Sequence, residues 1–120
     1  MIIFTYGTLK RGFGNHEVMI HNKFLGEATS KYKYPMVNIE GTFPYLINEK
    51  GYGKHIKGEV FEIDDITEQI LDLLEGYPNL YTKEVIEVLI NDKEVEAMAY
   101  FVKEKINYTD LELLDEFYNL

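Results

Sequence analysis

The chain has no cysteine, so disulfide cross-links and thiolate chemistry are both excluded, as fits a protein of a reducing compartment. It has no tryptophan and only one serine, Ser30, which lies in "EATSKYK" without the strand-to-helix elbow that exposes a hydrolase nucleophile. A serine-based triad is thereby dropped. Arg11 is the only arginine, and the formal net charge is −9. Binding to phosphate backbones draws on a cationic face and usually on arginine forks, so nucleic acid is not expected as a partner. No apolar run approaches the roughly 18 residues that cross a bilayer. The opening "MIIFTYGTLK" lacks a charged leader, a long apolar stretch and a small-residue cleavage site. The expectation is a soluble, cytoplasmic protein with no membrane partner.

Two cofactor classes also lack their patterns. The three histidines, His16, His21 and His55, form no ligand spacing, because His16 and His21 stand five apart and do not share a helix face. The glycines of "YGTLKRGFG" have the wrong spacing for a dinucleotide fingerprint or a P-loop, and Lys10 is not followed by Ser or Thr. Neither a metal nor a nucleotide cofactor is expected.

What remains is a chain of 120 residues, 46% hydrophobic, with nine glycines and three prolines. That composition fits one globular domain over residues 1–120, large enough for a modest core. "IIFTY", residues 2–6, reads as a buried strand ending at Gly7. The glycine-rich stretch 7–14 permits positive φ or close backbone approach to a ligand, with Asn15 then capping a short helix over "HEVMIHN". "FLGEATSKYKYPMVNI" and "TFPYLIN" carry strand formers interrupted by Pro35 and Pro44, which predicts edge or irregular strands. The alternation around Val60, Phe61 and Ile63 predicts a further strand. Asp65 with Glu68 resembles a capping box, and Ile66, Ile70, Leu73 and Leu74 recur at helical spacing until Gly76 and Pro78 stop the helix. "YTKEVIEVLI" and "KEVEAMAYFV" flank Asn91 and Asp92 as a hairpin. "TDLELLDEFYNL" predicts a final helix capped by Thr109 or Asp110, with Leu111, Leu114 and Phe117 or Tyr118 on one face. Many strands with few helices give an α+β domain, a small, mainly antiparallel β-barrel with a few short helices.

Within "LDLLEGYP", residues 71–78, Glu75 sits in the last turn of the helix, where the backbone dipole disfavours a carboxylate. Partly desolvated at the edge of an apolar face, it would have a raised pKa and attract an ammonium, which suits a general base. The alternative is a rim glutamate paired with Lys83 or another lysine. The turn after the first strand likewise reads either as a ring of N–H groups holding a carboxylate or oxyanion, or as an ordinary glycine turn. Tyr77 and Tyr81 read either as hydrogen-bond donors to a ligand or as half-buried tyrosines with their hydroxyls in water.

In order and spacing, "IFTYGTLKRGFGNH", "KGEVFEID" and "LDLLEGYPNLYTKEVIEV" resemble the γ-glutamylcyclotransferase-like family, including γ-glutamylamine cyclotransferases and AIG2-like proteins. The resemblance spans nearly the whole chain. It implies a small mixed β-barrel whose cavity holds a γ-glutamyl group, with Tyr6, Gly7, Thr8 and Leu9 at the substrate-binding turn, Tyr81 near the pocket and Glu75 as catalytic acid/base. It also implies a small-molecule γ-glutamyl substrate, no cofactor, and release of 5-oxoproline with a free amine. Many relatives carry an arginine where this chain has Lys83, and lysine cannot reproduce an arginine fork. That departure motivates a second reading, a barrel of the same fold that binds a small metabolite without turnover. Oligomeric state and the identity of the released amine have no readable code.

Overall fold

Five strands close into a barrel in the order β1–β5–β2–β6–β7. They are drawn from a computed structural model of the chain, which describes residues 1–13, 15–39 and 44–117. The barrel strands are β1 (Ile2–Thr5), β2 (Lys23–Tyr34), β5 (Lys54–Glu62), β6 (Tyr81–Ile90) and β7 (Lys93–Val102), while β3 (Met36–Val37) and β4 (Tyr45–Leu46) form a separate two-stranded sheet. All neighbouring pairs are antiparallel except β1 with β7, which run parallel and close the barrel. Closure leaves no free sheet edge, which suits a chain with so many strand-forming residues.

β1 and β5 are apolar on both faces because each separates two cores. Phe4 and Val60 point into one cluster with Val88 and Phe101, while Ile3 and Phe61 point into another with Met19, Leu71 and Met98. Gly58 lets these strands approach closely: a Cβ there would lie 2.2 Å from the Thr5 carbonyl oxygen. β6 and β7 form the expected hairpin, and Asn91 (φ 49°) and Asp92 (φ 66°) adopt the left-handed geometry that matches strand twist at a two-residue turn.

β2 is not an edge strand, since it pairs with β5 along most of its length and with β6 at Thr29 and Ser30. Pro35 follows β2 and Pro44 precedes β4, so neither removes a donor from inside a ladder. The final helix is absent among the described residues. Residues 109–117 take turns and bends, because their backbone bonds to the rest of the molecule: the Leu114 N–H donates to the Met36 carbonyl and the Lys57 N–H to the Asp115 carbonyl. Phe117 is buried in the core, and Tyr118 lies outside the described residues.

The helix α1 (Asp65–Glu75) is capped one residue earlier than the sequence suggests, by Asp64, whose carboxylate accepts from the Thr67 N–H at 2.7 Å. Its face also differs. The residues it buries are Thr67 and Leu71, four apart, whereas Ile66 and Leu73 are 70% and 84% exposed. Continuing that stripe by four more residues reaches Glu75. No helix among the described residues is long and apolar enough to cross a membrane.

Candidate active site

Residues 6–9 leave β1 at the end of the barrel where α1 also ends. Thr8 is braced by its neighbours, its carbonyl accepting from the Asn15 N–H at 2.9 Å and its Oγ1 from Asn15 Nδ2 at 2.8 Å. Asn15 therefore fastens this turn and makes no side-chain cap for the short 3₁₀ helix His16–Met19. The Leu9 carbonyl accepts from His16 Nδ1 at 3.1 Å. By contrast, the N–H groups of Gly7, Thr8 and Leu9 donate to no partner among the described residues. Three successive donors without a partner among the described residues, on residues that line a cavity, suit an anion or a developing oxyanion. The cations that follow point elsewhere: Lys10 Nζ donates to the Phe117 carbonyl at 2.9 Å, and Arg11 Nε to Glu59 at 3.1 Å.

At the facing end of α1, Gly76 adopts φ 65°, and the N–H groups of Gly76 and Tyr77 donate to the carbonyls of Leu73 and Asp72. The helix terminus is thus closed by a left-handed glycine rather than by a cation, which removes part of the penalty on a nearby carboxylate. Glu75 is half-buried, and among the described residues it has neither an ion pair nor a hydrogen bond. Burial alone raises its pKa from 4.5 to about 7. Lys83 does not reach it, because its ammonium bonds Glu68 at 2.9 Å and Asp72 at 3.0 Å and lies over the Tyr77 ring.

Two cavities meet at this carboxyl, sharing Thr8, Glu75 and Tyr81 in their walls. The narrow one, about 50 Å³, reaches Tyr6, Gly7 and Leu9 as well as Tyr100. The wide one, about 620 Å³, opens beyond Glu75 between Tyr45, Leu74, Leu80 and Val102. All six residues singled out in the sequence, Tyr6, Gly7, Thr8, Leu9, Glu75 and Tyr81, therefore line the narrow cavity.

A family model described as γ-glutamyl cyclotransferase, AIG2-like, matches residues 3–118. The chain belongs to this family. It is thereby an enzyme of the cyclotransferase class. It is 43% identical over 106 residues to a putative γ-glutamylcyclotransferase of Methanocaldococcus jannaschii, the match covering 85% of this chain and 84% of that one. A γ-glutamylaminecyclotransferase of Rattus norvegicus is 35% identical over 98 residues, covering 77% and 66%. The crystal structure of an AIG2-like protein of Mus musculus superposes with a TM-score of 0.89 at 28% identity, covering 97% of this chain and 86% of that one. The closed, mixed five-stranded barrel is the architecture that the family resemblance implied.

Two aromatic residues of this cyclotransferase-family protein, Tyr100 in the narrow cavity and Tyr45 in the wide one, had no signal in the sequence. Tyr100, on β7, is held by a 2.6 Å hydrogen bond from its hydroxyl to Asp72, and its carbonyl accepts from the Tyr6 hydroxyl. Burial raises the pKa of both Tyr6 and Tyr100, with Asp72 adding to the effect on Tyr100, so both remain protonated donors. Tyr45 stacks on Tyr81 with ring centroids 6.4 Å apart. Neither Tyr45 nor Tyr100 sits in a local motif; their distance along the chain from residues 6–9 hides them. Glu75, one turn after Leu71, lies at the edge of the apolar face as the sequence suggested, and it is half-buried there.

Proposed function

We propose that this chain converts a γ-glutamyl amine or related γ-glutamyl conjugate to 5-oxoproline and a free amine, with Glu75 as general base and then general acid. The observation that carries this reading is a carboxyl with a pKa near 7 on the same cavity wall as three backbone donors that have no partner among the described residues. A catalytic pKa close to the working pH serves both proton acceptance and return.

In the proposed reaction Glu75 takes a proton from the substrate's α-ammonium, and the freed amine attacks the γ-carbonyl carbon. The new C–N bond closes a five-membered lactam. Glu75 returns its proton to the amide nitrogen as the old C–N bond breaks, and the second proton of the attacking nitrogen passes out through the same carboxylate. The released amine leaves as an ammonium, so charge and protons balance. The N–H groups of Gly7, Thr8 and Leu9 hold the substrate carboxylate or the oxyanion, Tyr6 and Tyr81 flank the γ-glutamyl chain, and folding that chain on itself supplies the proximity term. The step as written needs no metal or nucleotide. Binding without turnover was motivated by Lys83, but Lys83 is engaged with Glu68 and Asp72 on the helix and is not in either cavity wall.

Incubation with γ-glutamyl-lysine, γ-glutamyl-alanine and simple γ-glutamyl amines, with 5-oxoproline measured directly, tests the reading. Product from at least one conjugate is expected; a folded protein that yields none contradicts it.

A further inference from the structure

The wide cavity is larger than the γ-glutamyl group requires, and its wall carries large apolar side chains beside polar ones, Asn15 and Asn79 among them. Leu74 and Leu80 are 47% and 65% exposed, yet both line it. Large apolar side chains held in water beside a polar site mark a surface that something apolar covers. Leu80 is also held in place. Its N–H donates to the Gly76 carbonyl at 2.8 Å, and its own carbonyl accepts from the Lys103 N–H at 2.9 Å. Its side chain lies so close over Gly76 that a Cβ there would be 2.8 Å from Leu80 Cδ1. Across the cavity stand Val102 and the stacked Tyr45 and Tyr81 rings. Among the described residues, the charged ones of this cavity beyond Glu75 are Lys103 and Glu104, one of each sign, both exposed to water, where charge contributes little to affinity.

We propose that this wide cavity is the subsite for the departing amine and that it selects amines with an apolar or aromatic body, Leu80, Leu74 and the Tyr45–Tyr81 pair being the specificity-determining residues. The inference rests on the cyclotransferase reading and adds the class of amine to it. Glu75 belongs to both cavity walls, so an amide nitrogen seated at the junction has the γ-glutamyl group on one side and the amine body on the other. An apolar body there also displaces water from beside Glu75, keeping its pKa high for proton return.

The test compares γ-glutamyl methylamide, n-butylamide and n-hexylamide, whose amines differ little in basicity, so that rate differences report the subsite rather than the leaving group. γ-Glutamyl-glycine serves as the charged competitor. The expected order of kcat/KM is hexyl, then butyl, then methyl, with at least about tenfold between the extremes. Leu80→Ala is expected to shrink that ratio severalfold, while Leu80→Met preserves it. A flat or inverted series, or γ-glutamyl-glycine as the best substrate, overturns the apolar subsite and leaves the cyclotransferase reading standing. A steep series that neither Leu80→Ala nor Leu74→Ala alters overturns the residue assignment. Absence of 5-oxoproline from all four, with turnover of γ-glutamyl-lysine or γ-glutamyl-alanine, overturns this inference alone; absence from those two conjugates as well overturns the cyclotransferase reading and this inference with it.

Discussion

At the scale of the residue, Glu75 combines two properties that oppose each other. The surroundings that make its carboxyl a competent base near neutral pH also make its ionised form costly to fold. Its pKa rises from 4.5 to about 7 on burial, so the folded chain holds that proton more tightly than the unfolded chain does. Below pH 4.5 both states carry the proton and the full benefit of the neutral carboxyl is present. As pH rises through 7 that benefit is lost, at ~1.4 kcal/mol per pKa unit, or about 3 kcal/mol in all. Glu75→Gln keeps the side chain neutral at every pH. The variant is therefore expected to be about 3 kcal/mol more stable than the parent at pH 8 and equal to it near pH 4, by urea unfolding at both pH values. Equal stability at pH 8 would mean that Glu75 is solvated as an ordinary surface carboxylate. The sequence disclosed that Glu75 occupies an awkward place, but not whether a lysine pairs with it, because pairing depends on where β6 lies relative to α1.

At the scale of the element, α1 is fastened by few interactions, and several are polar. Leu71 is fully buried, Thr67 Oγ1 accepts from Asn22 at 2.9 Å, and Lys83 bridges Glu68 and Asp72, the latter also holding Tyr100. Lys83→Met removes the bridging cation and leaves two part-buried carboxylates together; a loss of about 2 kcal/mol is expected in chemical denaturation. Lys83→Arg is expected to retain most of the stability, since an arginine can still reach both acids. On the barrel side, Gly58→Ala forces a methyl against the Thr5 carbonyl and the Phe4 ring, and a loss of about 3 kcal/mol is expected in thermal or urea unfolding. Local chemistry made several elements legible: β-branched runs marked β1, β6 and β7, and Asn91 and Asp92 marked the hairpin. The helix face was misread because Ile66, Ile70 and Leu73 imitate a core stripe while Thr67 and Leu71 are the buried residues. The C-terminal segment has helical spacing, but its N–H and C=O groups find partners on β3 and β5, and tertiary pairing outweighed propensity.

At the scale of the whole molecule, the barrel gathers into one cavity a turn after β1, the end of α1, the start of β6 and a residue of β7. No periodicity encodes that gathering. Residues 6–9, Glu75 and Tyr81 were found together only through resemblance to a family, and Tyr45, Tyr100 and Leu80 were not found at all. Closure of the sheet through the parallel β1–β7 pair is the long-range event that makes the site, which is why strand identities were readable while the cavity was not. The central claim is that Glu75 moves the protons in this cavity. It is tested most directly by the pH dependence of 5-oxoproline release from γ-glutamyl n-butylamide, comparing the parent with Glu75→Gln. The parent is expected to show kcat/KM rising with pH through a midpoint near 7, and Glu75→Gln to lose about 10²–10⁴-fold in kcat together with that limb. Turnover by folded Glu75→Gln at the parent's rate, with the same limb, would contradict the account.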